Sequence, residues 1–329
     1  PLFYTIADGR LVFGSEIKAI LACPGVRAAA DPLALDQIFT FWSPLSPRSF
    51  FQGIEEVPPG HFLRLREGRM ALEPYWQLAF PEGRLESART QDEYAAELRE
   101  LLIDATRIRL RADVPVGAYL SGGLDSSTIT AIIRHHTASP LETFSISFPD
   151  ASYDESSFQT RMARHLGTNH HMVHASYADI GRVFPEVVWH TETPLLRTAP
   201  APMFLLSGLV RKKGFKVVLT GEGADEFLAG YDLFKEAKIR RFWAAQPESR
   251  LRPALFSRIY PWIAGLTQAG SAYATAFFGL GLEETASPSY SHSLRWRTTS
   301  RAKRFFSEDM ADRIRAAGSG NHLDPVFPE

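Results

Sequence analysis

A run of apolar residues from Val114 to Leu120 ends in Ser121-Gly122-Gly123-Leu124-Asp125-Ser126-Ser127 and passes directly into a helical pattern, STITAIIRHH. Strand, glycine turn and helix in immediate succession leave little freedom. The turn must be tight, and the free N–H groups of the helix N-terminus must face whatever sits at the strand tip. Gly122 and Gly123 permit close backbone approach and positive φ, and Ser121, Ser126 and Ser127 add hydroxyl donors. Such a loop is an anion cradle suited to a phosphate or pyrophosphate. Asp125 would repel an anion there unless a cation lay between them, and Mg²⁺ is the cation that takes phosphate and carboxylate oxygens together. The plain alternative is a tight turn with Asp125 or Ser126 as a simple N-cap; the whole string in a strand-to-helix setting argues against it. Neither GxxxxGK[ST] nor GxGxxG occurs in the chain.

A second loop of the same kind follows about 100 residues later, in KVVLTGEGADEFLAGYD. A strand over Lys216–Thr220 delivers Gly221-Glu222-Gly223-Ala224-Asp225-Glu226 at its carboxyl end, where open α/β sheets bind ligands. Three carboxylates in five residues repel one another unless they cap a helix or hold a metal. The string alone leaves those two readings equally open. Two acidic glycine loops at two strand exits favour a shared nucleotide and its cation.

Between and around these loops strands alternate with helices: VPVGAYL, ETFSISF, HHMVHA and KVVLT, interleaved with four helical patterns. The alternation predicts a doubly wound parallel sheet with helices on both faces. From Glu93 a preceding helix is expected, with Tyr94, Leu98, Leu101, Ala105 and Ile108 on one apolar face. Pro185 is expected to kink or break the helix SYADIGRVFPEVVWHT. Past Tyr231 the chain reads as helical and aromatic-rich, with Trp243, Tyr260, Trp262, Phe277 and Phe278 as core. Residues 259–282 carry no charge, but Pro261, Gln268 and four glycines make two core helices the expectation rather than a membrane span.

The first 80 residues are mixed α/β. FYTIA and LVFGS read as strands around a turn at Asp8-Gly9, and SEIKAILAC as a short helix capped by Ser15. DPLALDQIFTF opens a helix with Asp31 as N-cap and Pro32 at the first position. HFLRLREGRMALEPYW forms a hairpin around Glu67-Gly68. Residues 81–92 are polar and turn-rich and read as a linker. The chain opens at Pro1 on a strand-like stretch with no signal-peptide pattern, and it reads as a piece of a longer polypeptide.

Composition narrows the function classes. Over 329 residues, 36 Lys+Arg balance 37 Asp+Glu, so the formal charge is -1. Binding to nucleic acid by phosphate neutralisation calls for a basic surplus that this chain lacks. One cysteine, Cys23, forms no internal disulfide, which points to a reducing, cytoplasmic setting. His170, His171 and His174 invite a zinc reading, but no Cys or acidic partner has ligand spacing.

The two loops together resemble a known family. SGGLDSS looks like the pyrophosphate loop of the PP-loop ATP pyrophosphatases. With LTGEGADEFLAGYD downstream it closely resembles the glutamine-hydrolysing asparagine synthetases. FSISFPDASYDESSFQTRMARHLGTNHH and HTETPLLRTAPAPMFLLSGLVRKKG are similar to the family's intervening stretches. VFGSEIKAIL and FQGIEEVPPGHFLRL look like the closing part of its class II, Ntn-type glutaminase domain. The resemblance implies a division into 1–80, the glutaminase-like tail; 81–92, the linker; and 93–329, an ATP-pyrophosphatase domain of PP-loop, HUP-like type with a helical extension, incomplete at its C-terminus.

The resemblance also implies chemistry: ATP adenylates a carboxylate, most simply aspartate, and ammonia released from glutamine displaces AMP to leave an amide and pyrophosphate. By resemblance Ser121, Gly122, Gly123, Asp125, Ser126 and Ser127 hold pyrophosphate, and Tyr119, Leu120 and Ile146 lie near the adenosine. Thr220, Gly221, Glu222 and Asp225 face the reactive end. Asp125 and Asp225 hold Mg²⁺, and Asp125, Glu222 and Asp225 are the catalytic set. Thr220 stands where the family usually has Ser. The implied partners are small molecules, with no nucleic acid and no membrane, and a homodimer is one assembly the family allows. The family's nucleophilic N-terminal Cys falls upstream of Pro1, and its later adenylation-site lysine finds no match; Lys235 and Lys238 read as a solvated helix face. The alternatives are a same-family enzyme acting on another carboxylate in peptide, antibiotic or polysaccharide biosynthesis, and an RNA-modifying PP-loop enzyme.

Overall fold

The computed structural model describes residues 1–79, 89–136, 140–263 and 272–318. The chain divides into two units that do not follow chain order. One gathers Pro1–Gln77, Glu192–Leu196 and Ala229–Glu329, and the other Leu78–Thr191 and Arg197–Leu228.

The first unit begins with β1 (Phe3–Ala7) and β2 (Arg10–Gly14), joined at Asp8-Gly9, followed by α1 (Ile17–Leu21) and α2 (Pro32–Phe41). Asp8 and Gly9 both have positive φ, 49° and 73°, as a two-residue hairpin turn of the primed kind requires. β3 (Glu55–Glu56) pairs with β1 to give the order β2-β1-β3, and β4 (His61–Arg66) and β5 (Arg69–Pro74) form a separate hairpin. Asp31 caps α2, its Oδ1 accepting from Leu33 N–H at 2.8 Å, with Pro32 in the first turn. Ser15 does not cap α1: the N-cap position is Glu16, and its side chain makes no capping bond.

The second unit opens with α3 (Gln91–Arg109), started by a capping box between Thr90 and Glu93. Gln91 and Asp92 therefore belong to the helix, and residues 81–88 of the expected linker lie outside the described residues. The unit continues through β6 (Val116–Tyr119), α4 (Leu124–His136), β7 (Glu142–Ser147), α5 (Ser156–Leu166), β8 (Asn169–His174), α6 (Tyr177–Thr191), α7 (Pro200–Lys212), β9 (Val217–Leu219) and α8 (Ala224–Leu228). The four strands lie parallel in the order β8-β7-β6-β9. Ala118 packs with Ile133 and Ile129 of α4 and Leu110, while Phe144 packs with Leu206, Leu209 and Val210 of α7. Helices thus cover both faces of a parallel sheet, as the strand–helix alternation predicts. α6 runs through Pro185 without a break.

The expected apolar face of α3 is a correction. Tyr94, Leu98, Leu101, Ala105 and Ile108 are exposed, and the buried positions are Ile103 and Thr106. α3 packs on α4 with the side that periodicity alone did not favour.

The chain then returns to the first unit as α9 (Asp232–Ala244), α10 (Phe256–Ile259), α11 (Ala272–Phe278), α12 (Ser293–Ser300) and α13 (Glu308–Ala316). Trp243, Phe256, Phe278 and Leu294 form its buried cluster, with Tyr260 and Phe277 against it. Trp262 is exposed, contrary to expectation. These helices pack on α2: Phe41 meets Trp296 edge to face at 4.8 Å, Trp42 Nε1 donates to Thr299 Oγ1 at 2.8 Å, and Lys303 Nζ reaches Asp36 Oδ1 at 2.6 Å. No described helix is long and apolar enough to cross a membrane. Gln268 and its neighbours in the uncharged stretch lie outside the described residues.

Candidate functional site

Chain order β6, β7, β8 runs outward in one direction, and β9 then returns to the other side of β6. The strand order therefore reverses between β6 and β9, the position at which open α/β sheets bind ligands. Val116, Gly117 and Ala118 pair in parallel with Val217, Val218 and Leu219, so the Ser121–Ser127 and Gly221–Glu226 loops leave adjacent strand tips.

The two loops touch. A Cβ on Gly221 would lie 2.7 Å from Ser126 N and 2.8 Å from both the carbonyl carbon and the Cβ of Asp125. Only glycine allows that approach, and it brings the backbone of the second loop onto the first turn of α4. Gly122 has φ +82°, and a Cβ there would meet Gln159 N and Phe158 Cβ at 2.8 Å. The first loop is thus held between the second loop and the start of α5.

Internal hydrogen bonds set its shape. Ser121 N–H donates to Ser126 Oγ at 3.1 Å, the two hydroxyls lie 2.8 Å apart, and Gly123 N–H donates to Ser121 Oγ at 3.2 Å. Ser127 N–H closes the first helical bond to Gly123 O at 3.1 Å. The opening N–H groups of α4 precede that bond, and the helix dipole places partial positive charge there. Ser127 Oγ is buried and has no hydrogen-bond partner among the described residues. In the second loop Glu222 N–H donates to Thr220 Oγ1 at 3.3 Å, so the hydroxyl at Thr220 sustains the turn.

The other sequence-predicted residues line the same end of the sheet. Tyr119 ends β6, its hydroxyl 3.3 Å from Ser207 Oγ. Leu120 is fully buried and donates its N–H to Phe144 O at 3.0 Å. Ile146 sits in β7, and its carbonyl accepts from Gln159 Nε2 at 2.9 Å. Asp125 and Asp225 both fall in the first turns of helices, α4 and α8. Among the described residues no group of three or more His, Cys, Asp or Glu could hold a metal ion. His170 lies between Thr143 Oγ1 and Ser145 Oγ, at 3.0 and 2.9 Å, and His171 pairs with Glu142.

Sequence reasoning missed the residues that support the tip of β7. Asp154 accepts from Phe148 N–H at 3.1 Å and from Ser156 Oγ at 2.6 Å. The Ser156 hydroxyl and then the Phe148 N–H hold its carboxyl below the usual carboxylate range. Asp154, Phe158 and Gln159 stand in and before a helical pattern with no glycine loop of its own, so their part in supporting β7 shows only in tertiary contact.

Comparison with known proteins places this geometry in context. Residues 97–321 match the family described as Asparagine synthase, and residues 1–76 match one described as Glutamine amidotransferase domain. Among similar proteins, Amidase chyE of Penicillium rubens is 35% identical over 249 residues, which is 71% of this chain and 36% of that protein. Asparagine synthetase [glutamine-hydrolyzing] 3 of Bacillus subtilis is 34% identical over 272 residues, 77% of this chain and 43% of that protein. The chain thus spans well under half the length of either relative. The NH3-dependent NAD synthetase of Campylobacter jejuni superposes over 71% of this chain and 97% of its own, with 14% identity and a TM-score of 0.32.

Proposed function

Because this chain belongs to the asparagine synthase family, we propose that it carries the nucleotide-handling part of an ATP-dependent amidotransferase. One observation supports the reading above all: the contact of Gly221 with Asp125 and Ser126, which makes one site of two acidic glycine loops at the switch point of the sheet.

In this reading the opening N–H groups of α4, with Gly122, Gly123 and the hydroxyls of Ser121, Ser126 and Ser127, receive the β- and γ-phosphates. The glycines at 122 and 221 let the loop pack tightly against its neighbours, and the unpartnered Ser127 hydroxyl fits an anion cradle. Tyr119, Leu120 and Ile146 lie near the adenosine. Thr220, Gly221, Glu222 and Asp225 line the reactive end. Asp125 and Asp225 would hold Mg²⁺, which when bound neutralises phosphate charge.

The acceptor carboxylate oxygen attacks the α-phosphorus, the bond to the β-phosphate breaks, and pyrophosphate leaves. Ammonia then attacks the acyl carbon, loses a proton and expels AMP. The oriented amides of the cradle stabilise the charge on departing pyrophosphate, the kind of preorganised electrostatics that lowers such barriers most. The match of residues 1–76 supports glutamine as the ammonia source, and the relative named asparagine synthetase supports aspartate as acceptor and asparagine as product. The fungal amidase relative supports a second reading of the acceptor alone: another carboxylate, activated at the same site.

The test is pyrophosphate release by the full-length parent enzyme with ATP, Mg²⁺ and aspartate, with ammonia or glutamine as donor. Asparagine formed with either donor supports the first reading. Turnover with a different acid, and none with aspartate, moves the assignment to the second. Asp125→Ala should abolish pyrophosphate release and keep the native circular dichroism; full activity in that variant would remove Asp125 from the cation site.

A further inference from the structure

The far end of α4 holds a different feature. A cavity of ≈ 510 Å³ opens between α3, α4 and α5, lined by Arg99, Ile103, Arg134, His135, His136 and His165, with apolar residues of α4 and α5 and no Asp or Glu. α4 starts at Leu124 and lines the cavity from Ala131 to His136, so the cavity lies about 10–18 Å along the helix from its N-terminus.

Arg107 stands beside the wall, with Nη2 3.3 Å from His136 Nδ1. Arg99 donates to Glu100 at 3.1 Å, and Arg134 Nε donates to Leu166 O at 3.2 Å. The carboxyl ends of α4 and α5 add roughly half a negative charge each. Among the lining side chains, Arg99 and Arg134 carry guanidinium groups. The imidazoles of His135, His136 and His165 line the same wall. Burial first, and then the charges of Arg107, His135 and Arg99, lower the His136 pKa. A site where cations crowd one another in this way gains from an anion.

We propose that this cavity is a second binding site, separate from the nucleotide loops, for a small phosphate-bearing molecule. Guanidinium forks pair with phosphate oxygens two at a time, and the volume admits a group of sugar size behind the phosphate. Ile103, Ala131, Ile132 and Leu166 supply the apolar wall that such a group would cover.

The experiment is an NMR titration of the histidine ring signals with inorganic phosphate at constant pH, with chloride at equal ionic strength as the control. The ring signals of His135, His136 and His165 should shift to saturation in the native chain and equally in Asp125→Asn, which weakens the nucleotide site. Arg99→Gln, an exposed substitution on α3, should weaken phosphate binding at least fivefold without altering the fold. Shifts that never saturate, that chloride reproduces, or that Arg99→Gln leaves unchanged would overturn the proposal. A response lost in Asp125→Asn would also overturn it, by assigning the phosphate to the nucleotide loops.

Discussion

The carboxylate of Glu192 accepts the N–H of Ile17 at 2.6 Å and that of Lys18 at 2.7 Å, so a residue 175 positions downstream caps α1. Lys18 Nζ adds an ion pair at 3.1 Å. Glu192 holds φ at +56°, a left-handed conformation that costs a non-glycine residue about 1 kcal/mol or more. The cap joins the segment that matches the glutamine amidotransferase domain to the one that matches asparagine synthase.

Removing that carboxylate should therefore be felt. Burial alone would push the Glu192 carboxyl up, but the Lys18 and Ile17 N–H groups and then the Lys18 ammonium hold it below the ordinary 4.5. A folded value below the unfolded one gives stability that is present above the unfolded value and lost as pH falls through the folded value. Glu192→Ala should cost about 1–2 kcal/mol at pH 7, the loss of a helix cap with buried donors left behind. The gap between native and variant urea midpoints should narrow once pH drops below 4.5. A gap independent of pH would assign the cost to packing instead.

The contact between the loops makes Gly221 the sharpest test of the site. In Gly221→Ala the added methyl would press on the Ser126 N and Asp125 backbone, at separations real Cβ atoms do not show. The loop must shift, and the opening amides of α4 shift with it. ATP binding by the full-length enzyme should weaken at least tenfold, while the melting temperature moves little, since the loop is at the surface. Tight ATP binding in Gly221→Ala would mean that the nucleotide does not use this junction.

What was legible in the chain was local. Ser121–Ser127 and Gly221–Glu226 could be read because each carries its glycines and carboxylates within one short string at a strand exit. Asp31 with Pro32, and Asp8 with Gly9, signal their own turns for the same reason. The rest depended on contacts far apart in sequence. No pattern around Ser15 could reveal that Glu192 supplies the cap of α1. The periodicity of Tyr94, Leu98, Leu101, Ala105 and Ile108 is real, yet α3 buries Ile103 and Thr106, because the partner surface and not the stripe decides which side packs. Nor does any local signal tell that α2 meets α12 through Phe41 and Trp296. Family motifs place residues 1–80 and the C-terminal helices in separate domains, whereas packing puts them in one unit.

Arg240 carries the last prediction. Its side chain is completely buried. Nε donates to Phe278 O at 3.1 Å, Nη1 to Tyr290 O at 3.0 Å, and Nη2 to Leu280 O at 2.6 Å and Gly281 O at 3.4 Å. The guanidinium also lies 4.2 Å from the centre of the Tyr290 ring. Burial lowers its pKa, but a guanidinium stays protonated through the working range. One side chain thus satisfies carbonyls from α11, the turn after it and the approach to α12. Arg240→Met fills much of the volume and leaves those carbonyls without donors, at about 1–3 kcal/mol for each one that water cannot reach. Arg240→Lys keeps the charge but not the planar fork, and should recover only part of the loss. In denaturant unfolding the expected order is native above Arg240→Lys above Arg240→Met, with a total spread of about 3–5 kcal/mol. Limited proteolysis should cut first between residues 278 and 293. If Arg240→Met stayed within about 0.5 kcal/mol of the native protein, the range of a neutral surface substitution, those carbonyls would have to find other donors, and the helical part would not depend on this residue.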